Sequence, residues 1–228
     1  MSAKKAAGHA AAELVKDGMT IGLGTGSTAS FFIDELGRRC QNGLKISAIA
    51  TSQQSTRQAQ KLGIPLISPE EVSFLDMTID GADEIDHQKN MIKGGGGALL
   101  REKLIALASK EMVVIVDETK LVEHLGTFPV PIEIASFAYL STLKRLENND
   151  YNGVLRLNRD QSIYVTDNGN YVFDIQFTKP ILNPIEEHDR LKNFCGVIET
   201  GLFFNIAGRI VVGYEDGFAK TLGMKYGI

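Results

Sequence analysis

The chain has 228 residues, 43% hydrophobic and 23% charged, which is enough for one large α/β domain or for one domain carrying a smaller one. A formal net charge of −4 leaves no electrostatic footprint for nucleic acid, and the apolar runs are strand-sized, short of the ~20 residues a membrane-spanning helix needs. Cys40 and Cys195 stand far apart with no metal-ligand spacing, and the N-terminus carries no secretory cleavage pattern; a cytoplasmic protein without disulfides, zinc or a membrane partner is expected.

In chain order, the Ala-rich stretch 4–16 has apolar residues near helical spacing and stops at Asp17-Gly18. A strand follows over Met19 to Leu23, then the loop Gly24-Thr25-Gly26-Ser27-Thr28, then a helix capped by Ser27 or Thr28 and ended by Gly37. The pattern repeats with a strand over Leu44 to Ala50, Thr51-Ser52, a polar helix to Lys61 and a strand over Ile64 to Ile67. Next come a strand ending at Asp80, a helix over Ala98 to Lys110 and the apolar strand Met112 to Asp117. Short apolar strands alternating with helices predict a parallel sheet covered on both faces, a Rossmann-like α/β domain.

From about Pro129 the texture becomes alternating, as in an antiparallel sheet with helices on one side. Strands are predicted at Pro131 to Ile134, Gly153 to Leu157, Tyr164 to Thr166, Tyr171 to Ile175 and Gly196 to Glu199, with helices at Phe137 to Glu147 and Pro184 to Phe194. Asp167-Asn168-Gly169-Asn170 reads as a hairpin turn. The order β-α-β-β-α-β is that of a ferredoxin-like α+β module. The tail from Ala207 returns to an apolar strand that rejoins the first domain. The expected division is 1–128 plus 204–228 for the Rossmann-like domain and 129–203 for the inserted one.

In open parallel α/β sheets, ligands bind beyond the carboxyl ends of the strands. Four predicted strand ends deliver Gly24 to Thr28, Thr51-Ser52, Asp80 to Asp83 and Asp117 to Lys120, all polar, which suits a phosphorylated polyol. The first loop has Ser27 where a Rossmann fingerprint needs its third glycine, and it lacks the Gly-Lys-Ser/Thr of a Walker loop, so nucleotide readings fall away. It fits either an anion site at a helix N-terminus or a tight turn with a helix cap. Asp80-Gly81-Ala82-Asp83-Glu84 fits a solvated turn or a ligand-binding pair of carboxylates. The run Lys93-Gly94-Gly95-Gly96-Gly97 is costly to order and offers backbone N–H groups to a developing oxyanion. Glu102 fits a first-turn acid favoured by the helix dipole or a catalytic carboxylate. His9, His87, His124 and His188 are scattered and read as non-ligands.

Together with Arg101-Glu102-Lys103 and Glu199-Thr200-Gly201-Leu202-Phe203, these segments resemble, in order and over essentially the whole chain, the ribose-5-phosphate isomerases of type A. The resemblance implies a Rossmann-like domain with a ferredoxin-like insertion. It also implies aldose–ketose isomerisation of D-ribose 5-phosphate and D-ribulose 5-phosphate through an enediolate in the non-oxidative pentose phosphate pathway, with no metal or organic cofactor, by a homodimer. Glu102 matches the general base. Asp80, Asp83 and Lys93 match residues that bind and polarise the sugar oxygens. Thr25, Gly26, Ser27 and Thr28 match the substrate loop, with Gly81, Ala82, Gly94, Gly95, Gly96 and Lys120 as further substrate contacts. Lys4 is left out of the set as poorly anchored near the N-terminus. The competing readings are an amino-sugar phosphate isomerase/deaminase of related fold and a non-catalytic sugar-phosphate sensor. The full acid–base set and the lack of a basic helix-turn-helix segment argue against the sensor.

Overall fold

The computed structural model describes residues 2–223, so Met1 and the last five residues of the expected first domain lie outside the described residues. In chain order its elements are α1 (Ala3–Ala12), β1 (Thr20–Leu23), α2 (Ser27–Gln41), β2 (Ser47–Ala50), α3 (Gln53–Lys61), β3 (Met77–Asp80), β4 (Glu84–Ile85) and β5 (Met91–Ile92). Then follow α4 (Leu99–Leu107), β6 (Met112–Asp117), β7 (Val130–Ile134), α5 (Tyr139–Glu147), β8 (Gly153–Leu155), β9 (Tyr171–Ile175), α6 (Pro184–Lys192), β10 (Val197–Thr200), β11 (Leu202–Phe203), β12 (Ala207–Gly213) and β13 (Ala219–Leu222). The chain divides into two units. The first takes residues up to Ala82, Arg101–Lys120 and those from Ile206; the second takes Asp83–Leu100 and Leu121–Asn205.

The first unit is built on one sheet of order β13-β12-β6-β3-β1-β2, parallel except where β13 turns back antiparallel on β12. Every residue of β6 is buried, as a central strand covered on both faces requires. Ile21 and Leu23 of β1, Ile79 of β3 and Val113 and Ile115 of β6 share a core with Phe32, Ile33 and Leu36 of α2. β2 and β3 flank β1 on opposite sides, so the strand order reverses at β1, and the carboxyl ends of β1, β2 and β3 open there on one edge.

Several boundaries depart from the sequence reading. Gly37 does not end α2, which runs on to Gln41; a Cβ on Gly37 would come within 2.7 Å of the Leu62 Cβ, so this glycine serves the close packing of the α3 exit rather than a stop. The strand expected over Ile64 to Ile67 is a single bridge between Ala48 and Leu66. α1 ends at Ala12, before Asp17-Gly18.

In the second unit β7, α5, β8, β9, α6 and β10 follow in the expected order, and the sheet order β10-β7-β9-β8 is antiparallel throughout, as in a ferredoxin-like module. Ile132, Ile134, Phe173, Ile175 and Val197 of the sheet pack on Leu146 of α5 and Leu191 of α6. The hairpin around Asp167 to Asn170 keeps only the bridge from Val165 to Tyr171, so the strand expected at Tyr164 to Thr166 does not form. A separate small sheet, β11-β5-β4, belongs to the same unit, and Ile85 bridges to Leu121. These pairings group 83–100 and 121–128 with the second unit, whereas the sequence reading set the boundary at 129.

Candidate active site

In the first unit, the loop after β1 is set by hydroxyls and one carboxylate. The fully buried Asp80, the last residue of β3, accepts the Thr25 N–H at 3.0 Å and the Gly81 N–H at 2.7 Å on the same Oδ1. The Thr25 hydroxyl lies 2.8 Å from both Thr51 Oγ1 and Ser52 Oγ beyond β2, and Ser55 donates to the Gly24 carbonyl at 2.7 Å. Ser52 also caps α3 through the Ser55 N–H at 3.1 Å. Thr25 and Asp80 thus anchor this loop and, with it, the residues that follow.

Those residues begin α2. Gly26 holds the N-cap at a φ of 108°, a conformation open to glycine, and Ser27 and Thr28 start the helix, whose first N–H groups have no acceptor inside it. Partial positive charge at this terminus favours an anion. Lys4 of α1 reaches the same place, donating from Nζ to Ser27 Oγ at 3.0 Å. Sequence reasoning set Lys4 aside; only the packing of α1 along α2 anchors it, and no local motif announces that packing. Glu102 stands in the first turn of α4 and is buried at 3% exposure. Lys120 closes a 3₁₀ turn, Glu118–Lys120, that follows β6 directly and leaves it half-buried.

In the second unit, Lys93 follows β5 and is 2% exposed. Its N–H bonds to the Gly201 carbonyl at 2.8 Å and its ammonium lies 5.5 Å from the Phe203 ring centre. Asp83 accepts the Gly95 N–H on Oδ2 at 2.8 Å, and the Gly97 N–H turns back on the Gly94 carbonyl at 2.8 Å. Gly95 and Gly96 are the exposed residues of this run. Glu84, the third acid of its segment, is a different matter. Its carboxylate is buried and accepts the N–H groups of Gly126 and Phe128, so it braces a loop within the fold. Thr25, Gly26, Ser27, Thr28, Asp80, Gly81, Ala82, Glu102 and Lys120 belong to the first unit, and Asp83, Lys93, Gly94, Gly95 and Gly96 to the second. Among the described residues no cluster of three or more His, Cys, Asp or Glu side chains could hold a metal ion, and no helix is long and apolar enough to cross a membrane.

The model of the family described as ribose 5-phosphate isomerase A (phosphoriboisomerase A) matches residues 47–217. The chain belongs to this family. A ribose-5-phosphate isomerase A of Protochlamydia amoebophila is 62% identical over 222 residues, 97% of this chain and 96% of the relative. The solved ribose 5-phosphate isomerase from Plasmodium falciparum shares 40% identity over 98% of each chain, with a TM-score of 0.92. A D-ribose-5-phosphate isomerase solved in complex with phospho-erythronic acid shares 36% identity at a TM-score of 0.91, covering 98% of this chain and 100% of that one. The family includes both units, and its α/β fold is the one described above. Within the first unit, Ser55 and Lys4 reach the loop after β1 and the start of α2 only through tertiary packing.

Proposed function

We propose that this chain interconverts D-ribose 5-phosphate and D-ribulose 5-phosphate through an enediolate, with Glu102 as the base. The observation that carries the reading is the row of polar groups at the carboxyl ends of β1, β2, β3 and β6 in a chain of this family: the α2 terminus, Thr51-Ser52, Asp80 and the turn to Lys120. The substrate phosphate takes the α2 N-terminus with Lys4 and the Ser27 and Thr28 groups, because N–H donors, a dipole and an ammonium all favour an anion there. Lys120 supplies a second cation for the same substrate.

A C–H beside a carbonyl loses its proton readily only if the enolate oxygen is stabilised as charge grows. Glu102 takes the proton from C2 of the open-chain aldose and returns it to C1, while a hydroxyl proton crosses between the two oxygens and the C2–O bond becomes the carbonyl. Lys93 and the Gly96 amide stabilise the charged oxygen, and Asp83 holds a sugar hydroxyl. Asp80 acts by fixing the loop that carries Thr25 and Gly81. The relative solved in complex with phospho-erythronic acid holds a phosphorylated sugar acid, which is in keeping with this substrate class. A homodimer in the cytoplasm completes the proposal.

The test is turnover of ribose 5-phosphate, in buffer treated with chelator, for the wild type beside Glu102→Gln. General-base catalysis is worth about 10²–10⁴-fold, so kcat of the variant is expected to fall by at least about 100-fold with a smaller change in KM. Near-normal turnover by Glu102→Gln would remove Glu102 as the base. A folded wild type inactive on ribose 5-phosphate but active on an amino-sugar phosphate would replace the substrate.

A further inference from the structure

We propose that Arg156 is a positioning residue for this reaction, acting through the two glycine-loop peptides whose carbonyls its guanidinium holds. The proposal rests on the reading above, in which Asp83 and the Gly96 amide meet the sugar. All the groups involved lie in the second unit. Arg156 follows β8, and its backbone is fixed by bonds from its N–H to the Val172 carbonyl at 2.8 Å and from the Tyr164 N–H to its own carbonyl at 2.9 Å. The side chain is 16% exposed.

The guanidinium is divided between two tasks. Nε donates to Asp174 Oδ2 at 2.8 Å and Nη2 to Asp174 Oδ1, a two-point grip that fixes the plane of the group. With that plane set, Nη1 donates to the Gly94 and Gly95 carbonyls, each at 3.0 Å. The Gly94–Gly95 peptide is thus caught between opposite charges: its carbonyl accepts from Arg156 and its N–H donates to Asp83 Oδ2 at 2.8 Å. A relay runs from Asp174 through Arg156 and one peptide to the Asp83 carboxylate. The next peptide has its carbonyl on the same Nη1, which turns the Gly96 N–H the opposite way and polarises it as a donor. Tyr164 closes the loop from the other side, with its hydroxyl 3.4 Å from the Gly96 carbonyl and its ring 5.9 Å from the Arg156 guanidinium.

A structural staple would need only an ion pair. The arrangement seen uses the planar fork for a carboxylate and two carbonyls at once, which a lysine ammonium does not reproduce. The residue's effect is on orientation: a four-glycine loop has little stiffness of its own, and the guanidinium supplies it. Misplacing a reacting group by about 1 Å costs up to about 100-fold, so kcat/KM of Arg156→Ala is expected to fall by about 10- to 100-fold, mostly in kcat. Arg156→Lys is expected to recover little of the loss. Millimolar guanidinium ion added to Arg156→Ala is expected to restore part of kcat, while leaving the wild type unchanged. In amide exchange followed by NMR, the Gly95 N–H is expected to be protected in the wild type and to exchange faster in Arg156→Ala. Asp174→Asn, which keeps the arginine but loosens its grip, is expected to show a milder form of both effects and serves where Arg156→Ala does not fold.

Wild-type kcat and KM in folded Arg156→Ala would overturn the proposal. So would a loss of activity with no guanidinium rescue and no change in Gly95 exchange, since that is the pattern of a staple. Asp83→Asn separates this proposal from the reading beneath it: normal turnover in Asp83→Asn beside impaired, rescuable turnover in Arg156→Ala removes Asp83 from the chemistry and leaves Arg156 acting through the Gly96 amide.

Discussion

Asp83 and Glu84 are chain neighbours of like charge with opposite fates. Glu84 points into the fold and is spent on two backbone N–H groups, whereas Asp83 stays half-buried against the glycine loop. Strand alternation sends successive side chains to opposite faces, but a two-residue strand such as β4 is too short for that alternation to be read from sequence. The role of Gly95 is sharper. A Cβ there would lie 2.6 Å from Asp83 Oδ1 and 2.9 Å from Oδ2, while the backbone angles themselves suit any residue. Gly95→Ala is therefore expected to push the carboxylate aside and lower kcat/KM by about tenfold or more, with the melting temperature nearly unchanged because the position is exposed. Unaltered kinetics in that variant would show that the Asp83 carboxylate need not stand where it does. The glycine run, Lys93 and Glu102 could be singled out from sequence as candidates, the run because four ordered glycines demand a reason. Arg156 was not, since nothing near it in sequence tells it from any other strand arginine.

At the level of elements, the parallel sheet followed from the alternation of strands and helices, while its strand order and the joints between elements did not. Asp76 is one such joint. It accepts the Thr20 N–H at the start of β1 on Oδ2 at 2.9 Å and the Lys110 ammonium on Oδ1 at 2.8 Å, while the Lys110 N–H bonds to the Leu75 carbonyl at 2.9 Å. One side chain thus ties the starts of β1 and β3 to the turn between α4 and β6. The Lys110 hydrogen bond, then the Thr20 N–H, hold its carboxyl below the ordinary value of 3.8. A carboxyl depressed on folding adds stability above its unfolded value, and that stability is lost as pH falls through the lower folded value. Asp76→Asn is accordingly expected to lower the urea midpoint at pH 7 by an amount worth about 1 kcal/mol or less, given the exposure of Lys110. The gap between wild type and variant should narrow below pH 4 and close in stronger acid. A gap of constant size down to pH 2 would mean the charge plays no part. The two-residue strands β4, β5 and β11 were missed for a related reason: each is shorter than any repeat, and only its partners across the small sheet define it.

For the whole molecule, sequence texture separated an alternating region from a parallel one, and the second unit's sheet order agrees with that change. It did not show that 83–100 pairs with residues beyond 200, because the pairing of β5 with β11 joins segments nearly half the chain apart. Phe137 and Leu140, at 90% and 66% exposed around the start of α5, are apolar surface that a second copy can cover. In sedimentation equilibrium the wild type is expected at twice the 24.9 kDa chain mass, with the Phe137→Ser and Leu140→Ser double variant moved toward the single chain. A monomeric wild type would end the homodimer proposal, and an unshifted variant would place the contact elsewhere.

The seating of α1 has a consequence for how the protein is made. This helix packs on β6 and β12, so closely that a Cβ on Gly213 would strike the Ala3 carbonyl. A ribosome releases α1 well before β12, so the helix waits for part of its cover while Leu121–Asn205 emerges as one uninterrupted stretch holding five strands and two helices. The waiting face is lined by Ala3, Ala7 and Ala11, the least adhesive of apolar side chains. Alanine along α1 thus suits a helix face whose last covering strand is made long after the helix itself.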